Sequence, residues 1–288
     1  MNFIPKIFQD TILEFSDLND RKEIKKFDSI CTRELLAPRS KFGCLVLSLR
    51  NNGQLLVKGH LFESDPKIVS WNVDKDGQEV IWNYAENPEA YGIHLVVLTS
   101  AVWSEGKGVK YTLEQSTDLG SYFESRFRTL PLHVEEIRPN HADYATAFVR
   151  QLTKDVDWIS KLTIRGTETS FLTNPAIRML TKGTNLKIVQ ADGVRYDHLK
   201  QVLTELFRKK KSNIVHLKLL NLVPDRLHPL ASLLHDVVLS RTFPEPVLVQ
   251  ISVRPKSEKF TFSKIPYFDR FSPTKQGRRL MFTVDGNR

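Results

Sequence analysis

KLTIR (161–165), LKIVQ (186–190), IVHLKLL (214–220), VLVQISV (247–253) and RLMFTV (279–284) are five short runs rich in leucine and β-branched residues. What lies between them decides the fold. After Pro175 come Ile177 and Leu180, closed by Gly183. Then Leu199, Val202, Leu203, Leu206 and Phe207 recur at helical spacing, and Leu230, Leu233, Leu234, Val237 and Val238 repeat it. Ahead of the first run, Asn140 is placed to cap a helix carrying Tyr144, Ala145, Phe148, Val149 and Leu152. Helix then strand thus recurs four times, with a fifth strand at the end.

Taking Leu162, Ile188, Leu217, Val249 and Phe282 as reference positions, the steps are 26, 29, 32 and 33 residues. Units of this size fall in the range of leucine-rich-repeat-like arrays and longer βα repeats, although the regular Leu/Asn consensus is absent. Each unit hides its apolar helix face on the sheet, and neighbours extend that core.

Strand alternation predicts what the other face of the sheet carries. With Leu162, Ile164, Val215, Leu217, Leu219, Val249, Ile251 and Val253 turned to the helices, Lys161, Thr163, Arg165, His216, Lys218, Gln250, Ser252 and Arg254 point away. In the last run Leu280, Phe282 and Val284 leave Arg279, Met281 and Thr283. The second run fits this alternation less well. The expectation is a partner-binding face formed by Lys161, Arg165, His216, Lys218, Gln250, Arg254 and Arg279, suited to an acidic protein target. The competing expectation is that these are solvated residues, or that the upstream hairpins pack over them.

Upstream, GCLVLSLRNNGQLLVKGHLF places two apolar runs around Asn51-Asn52-Gly53, a turn sequence supplying positive φ. KIVSWNVDKDGQEVIWNY repeats the arrangement around Asp76-Gly77, with Val69, Trp71 and Val73 alternating; GIHLVVLTSAVW and VKYTLEQ are two more strand candidates. The reading is a run of hairpins. From about residue 4 to 36 the spacing of Ile4, Phe8, Ile12 and Phe15, then Ile24, Phe27, Ile30 and Cys31, is helical, and Pro38 ends the block. The expected organisation is α+β, with a helical segment at 1–38, a β-hairpin region at 39–138 and a βα-repeat region at 139–288.

Composition excludes more than it assigns. At 288 residues, 41% hydrophobic and 26% charged, the chain has the balance of one or two folded domains. No stretch approaches the roughly 20 apolar residues that span a bilayer, so no membrane partner is expected. Asp10, Glu14, Asp17 and Asp20 interrupt any secretory h-region, which points to the cytoplasm or nucleus. Cys31 and Cys44 lack metal-site spacing and read as buried thiols or helix residues. The net charge of +9 permits an acidic partner without choosing its class.

Neither a His-Glu-x-x-His, a Walker loop, a dinucleotide fingerprint nor a Gly-x-Ser-x-Gly elbow is present. SEGKGVK (104–110) reads as a turn, His228 and His235 as exposed residues, and Glu135-Glu136 as strand neighbours pointing opposite ways. The expectation is no enzyme, no metal and no cofactor. FRKKKSN (207–213) is explained by a helix end, where cations complement the dipole. Nucleic-acid binding through this run and the basic sheet face is the lesser alternative, because aromatics are not interleaved with it.

The first residues add a resemblance. Ile4-Pro5 stands eight residues before Ile12-Leu13, with Ile24 and Phe27 further on. This resembles a degenerate F-box, which opens with Leu-Pro and places an Ile-Leu pair at that interval; Ser16 and Arg21 stand where leucine is usual, and Cys31 near the usual tryptophan. With the hairpins and irregular βα units that follow, the chain resembles the divergent F-box-associated proteins of nematodes. The resemblance implies a substrate receptor of a cullin-RING ubiquitin ligase. Ile4, Pro5, Phe8, Ile12, Leu13, Ile24 and Phe27 would be the contacts to a Skp-type adaptor.

Overall fold

The Asn51-Asn52-Gly53 turn forms as its residue types require. Gly53 takes φ +71°, and the Arg50 amide donates to the Gln54 carbonyl at 2.9 Å. The turn joins strand β1 (Phe42–Leu49) to β2 (Leu55–Phe62) as an antiparallel hairpin. The computed structural model describes residues 42–62, 78–80, 92–101, 108–165, 173–207, 213–222, 227–236, 246–253 and 279–284. The expected helical segment at 1–38 and the Val69-Trp71-Val73 alternation lie outside these residues.

Strand β3 (Gln78–Val80) adds antiparallel to β2, and β4 (Gly92–Thr99) pairs parallel with β1. A short β5 (Val109–Tyr111) also pairs with β2. From there helices and strands alternate: α1 (Gln115–Phe127), β6 (Leu130–Glu135), α2 (Ala142–Leu152), β7 (Ile159–Arg165), α3 (Asn174–Leu180), β8 (Ile188–Asp192) and α4 (Tyr196–Leu206). They continue through β9 (His216–Leu222), α5 (Leu227–Leu234), β10 (Val247–Val253) and β11 (Arg279–Val284). The strands form one sheet of eleven in the order β11-β10-β9-β8-β7-β6-β4-β1-β2-β3, with β5 also on β2. Strands β1, β4, β6, β7, β8, β9 and β10 run parallel to one another, and β11 closes antiparallel on β10.

The architecture is therefore mixed α/β, and its parallel part starts earlier than the sequence suggests. Residues 92–99 do not make a hairpin. They lie between β1 and β6, parallel to both. HLVVLT is a nearly continuous apolar run, the composition of a strand covered on both faces, and such a run does not say which partner it takes. VKYTLEQ is corrected too: the strand stops at Tyr111 and a helix begins. The Thr112 amide donates to Gln115 Oε1 at 2.9 Å while Thr112 Oγ1 accepts from the Gln115 amide at 3.4 Å. This reciprocal Thr-x-x-Gln exchange is a capping box, which satisfies donors that a helix start leaves open.

One ladder of apolar residues crosses eight strands in register: Leu45, Val96, Leu132, Leu162, Val189, Leu217, Val249 and Phe282. Four of the five reference positions read from sequence belong to it. The exception is Ile188, whose neighbour Val189 holds the ladder place. A second ladder, Leu47, Leu98, Val134, Ile164, Ala191, Leu219, Ile251 and Leu280, runs beside the first. From Leu45 to Val249 and from Leu47 to Ile251, both belong to one apolar cluster with residues from all five helices, among them Phe123, Phe148, Ile177, Leu203 and Leu234. The five helices among the described residues thus cover the same face.

Local packing between neighbouring units is specific. Trp158 is fully buried, donates from Nε1 to the Leu152 carbonyl at 2.7 Å, and meets Phe123 edge-on with ring centroids 5.0 Å apart. Gly120 brings α1 against that same Leu152 carbonyl. Asn140 does not cap α2; it lies in a 3-10 turn (Pro139–His141) from which the helix continues, and Tyr144 stays exposed beside the β1–β2 turn. His141 Nε2 meets Asn51 Oδ1 at 2.6 Å, so the hairpin tip docks on the start of α2.

A polar brace runs along the amino ends of the parallel strands. The Asp157 amide donates to Glu124 Oε1 at 2.8 Å. Asp157 Oδ2 accepts from the Thr184 amide, Thr184 Oγ1 and the Asn185 amide at 2.6, 2.7 and 2.9 Å. Asn213 Nδ2 then donates to the Thr184 carbonyl at 3.0 Å. These side chains tie each loop to the next.

Candidate functional site: the second face of the sheet

With one face under helices, chemistry available to a partner lies on the other, and its register follows from the same pairings. The central line across it is Lys58, Val46, Val97, His133, Thr163, Gln190, Lys218, Gln250 and Met281. On its amino side lie Lys161, Ile188, His216, Leu248 and Thr283. On its carboxyl side lie Ser48, Thr99, Glu135, Arg165, Asp192 and Leu220.

The two ends of this face differ in exposure. Toward β2, Cys44, Val46, Leu56, Lys58, His60, Val97, Thr99, His133 and Glu135 are all buried, yet the four apolar ones stand apart from the helix-facing cluster. Toward β10 the face opens: Lys161, Ile188, Gln190, Asp192, His216, Lys218, Leu220, Leu248, Gln250 and Ser252 are half-buried, and Arg165 is exposed. Of the residues expected at the partner face, Lys161, Arg165, His216, Lys218 and Gln250 lie together here. Arg279 lies on β11, paired with Ser252, and Arg254 is outside the described residues. The residues expected to contact an adaptor are also outside them.

Two carboxylates stand on this face that the sequence reading did not place there. Glu135 and Asp192 flank Arg165 on adjacent strands, so this end of the face is not purely basic. Glu135 Oε2 lies 3.2 Å from His133 Nε2, and Asp192 Oδ1 accepts from Asn221 Nδ2 at 2.6 Å. Glu136 does not continue the strand but takes φ +49°.

Toward the amino side the charge is of one sign. His216 is held below the ordinary imidazole range by burial and then by the Lys218 and Lys161 ammonium groups, which places both cations within electrostatic reach of the ring. Its Nε2 is buried and meets no hydrogen-bond partner. The positions beside it on β8 and β10 are Ile188, Gln190, Leu248 and Gln250, all uncharged.

Among the described residues no group of three or more His, Cys, Asp or Glu is placed to hold a metal ion. Cys44 is a buried free thiol whose pKa is pushed far up by burial and then by Glu135, the reverse of what activates a nucleophile. Among the described residues no helix is long and apolar enough to cross a membrane. Compared with protein-family models, curated proteins and solved structures, the chain matches none.

Proposed function

We propose that this is a protein–protein interaction protein, a substrate receptor of a cullin-RING ubiquitin ligase. Its residues 4–27 would dock on a Skp-type adaptor, and the second face of β7–β10 would hold the target. The observation that carries the recognition part is the one-sided helix layer: four consecutive parallel strands present accessible side chains on the face the helices leave. Arrays of this kind offer that strand surface to partners. The adaptor part rests on the Ile4-Pro5 and Ile12-Leu13 spacing. Such a receptor does no chemistry; it raises the effective concentration of target lysines near the ligase.

Nucleic-acid binding is the weaker reading, because Glu135 and Asp192 beside Arg165 would repel phosphates along one edge of the face. The deciding experiment is binding of the purified chain to the Skp-type adaptor, with an Ile12→Asp, Leu13→Asp variant of unchanged circular dichroism. Binding lost in the variant supports the receptor. A folded wild type that does not bind removes the ligase role and leaves an interaction module working through the sheet face alone.

A further inference from the structure

The open face is polarised, and its amino-side corner has the make-up of a carboxylate subsite. Lys161, Ile188, His216 and Leu248 stand in register on four adjacent strands. Lys218 stands two residues beyond His216 on the same face. The Lys161 and Lys218 ammonium groups and the His216 imidazole thus share a corner walled by two half-buried apolar side chains. The carboxylates nearest this corner along the face, Glu135 and Asp192, lie at its opposite edge, and each already has a partner there, His133 or Asn221. The strand repeat puts roughly 13 Å, four residues at about 3.3 Å each, between that edge and the row of Lys161 and His216, beyond a Debye length at physiological salt, and about half that distance between the edge and Lys218. The corner therefore keeps its positive potential.

We propose that Lys161 and Lys218, on either side of His216, receive one acidic side chain of an extended peptide partner, with the apolar neighbours of that residue packing on Ile188 and Leu248. The inference rests on the sheet-face part of the proposed function and names its ligand chemistry. A carboxylate accepts from the two ammonium groups in charge-assisted bonds, stronger than neutral ones. Gln190 and Gln250, next along the face, carry donors and acceptors suited to the peptide's own backbone.

The test is selection of a displayed random heptapeptide library on the full chain, followed by synthesis of the winning peptide with a fluorescein label and of its Glu→Gln or Asp→Asn counterpart. The expected result is enrichment of an acidic residue flanked by apolar ones. The amide counterpart should bind ~10-fold more weakly, and a Lys161→Glu, Lys218→Glu variant should lose a similar factor or more. A Lys161→Gln, Lys218→Gln variant, which removes charge without adding repulsion, guards against misfolding of the reversal. Neutral or basic winners, no enrichment, or acidic winners indifferent to both lysine variants overturn the proposal. A Gln190→Trp variant separates its failure from that of the face: peptides blocked by this bulkier side chain but indifferent to the lysines leave the face as a binding surface without the carboxylate subsite.

Discussion

Replacing Gly120 by alanine sets two effects of known size against each other. In an unpacked helix the change stabilises by about 0.8–1 kcal/mol, since glycine has the greater freedom to lose. Here a Cβ would fall on the Leu152 carbonyl oxygen and come within 2.9 Å of its carbon and 3.2 Å of its Cα, all backbone atoms that do not swing aside. Overpacking of this kind costs about 1–3 kcal/mol. The displaced carbonyl is also the acceptor of the buried Trp158 Nε1–H bond of 2.7 Å, and a buried donor left open costs a further ~1–3 kcal/mol. The net expectation is destabilisation by about 1–5 kcal/mol. Urea unfolding followed by far-UV circular dichroism reads it as a lower midpoint at unchanged slope. A Gly120→Ala, Trp158→Phe cycle tests the route: if the clash acts through the shared carbonyl, the double variant costs about 1 kcal/mol less than the sum of the singles. A Gly120→Ala protein as stable as wild type, or more so, would refute the close approach of α1 to the end of α2.

Asp157→Ala removes the acceptor for two amides and a hydroxyl; water reaches this site, so the expected loss is about 1–3 kcal/mol. Asp157→Asn, keeping one acceptor oxygen, should lose less, and equal stability of all three proteins would dismiss the brace. Ser48 Oγ is buried with no partner, so Ser48→Ala is expected to be neutral or stabilising by up to ~1 kcal/mol, read as an unchanged or raised urea midpoint. Acidification should weaken the fold. His216 is depressed by burial, then Lys218 and Lys161, His198 by burial and then Arg195, and His141 by burial and then Arg138. The unfolded chain therefore takes up protons first as pH falls through about 6.5, and stability present above that value is lost below it. Urea midpoints that hold level or rise from about pH 7.5 to 5.5 would contradict this, and a His198→Gln, His216→Gln variant should show the shallower decline.

What could be read in the sequence is what local chemistry controls. The Asn51-Asn52-Gly53 turn, the helices carrying Phe148 and Leu203, and the outward places of Lys161, Arg165, His216, Lys218 and Gln250 follow from backbone freedom and from periods of 3.6 and 2, each acting within a few residues. The start of α1 was legible too, in the Thr112-x-x-Gln115 box, though the preceding strand pattern masked it. The phase of β8 was not. Ile188 and Val189 are adjacent and equally apolar, so either can face the helices, and pairing of Val189 with Leu162 and Leu217 decides it. That one-residue choice put Gln190 and Asp192 on the open face, and Glu135 came to light only when β6 paired with β7. The parallel placement of β4 and the burial of Lys58 and His60 are likewise beyond local pattern. A strand's hydrophobicity states that it needs neighbours, but which strands pair, and in what register, is set by the long-range contacts that close the whole sheet.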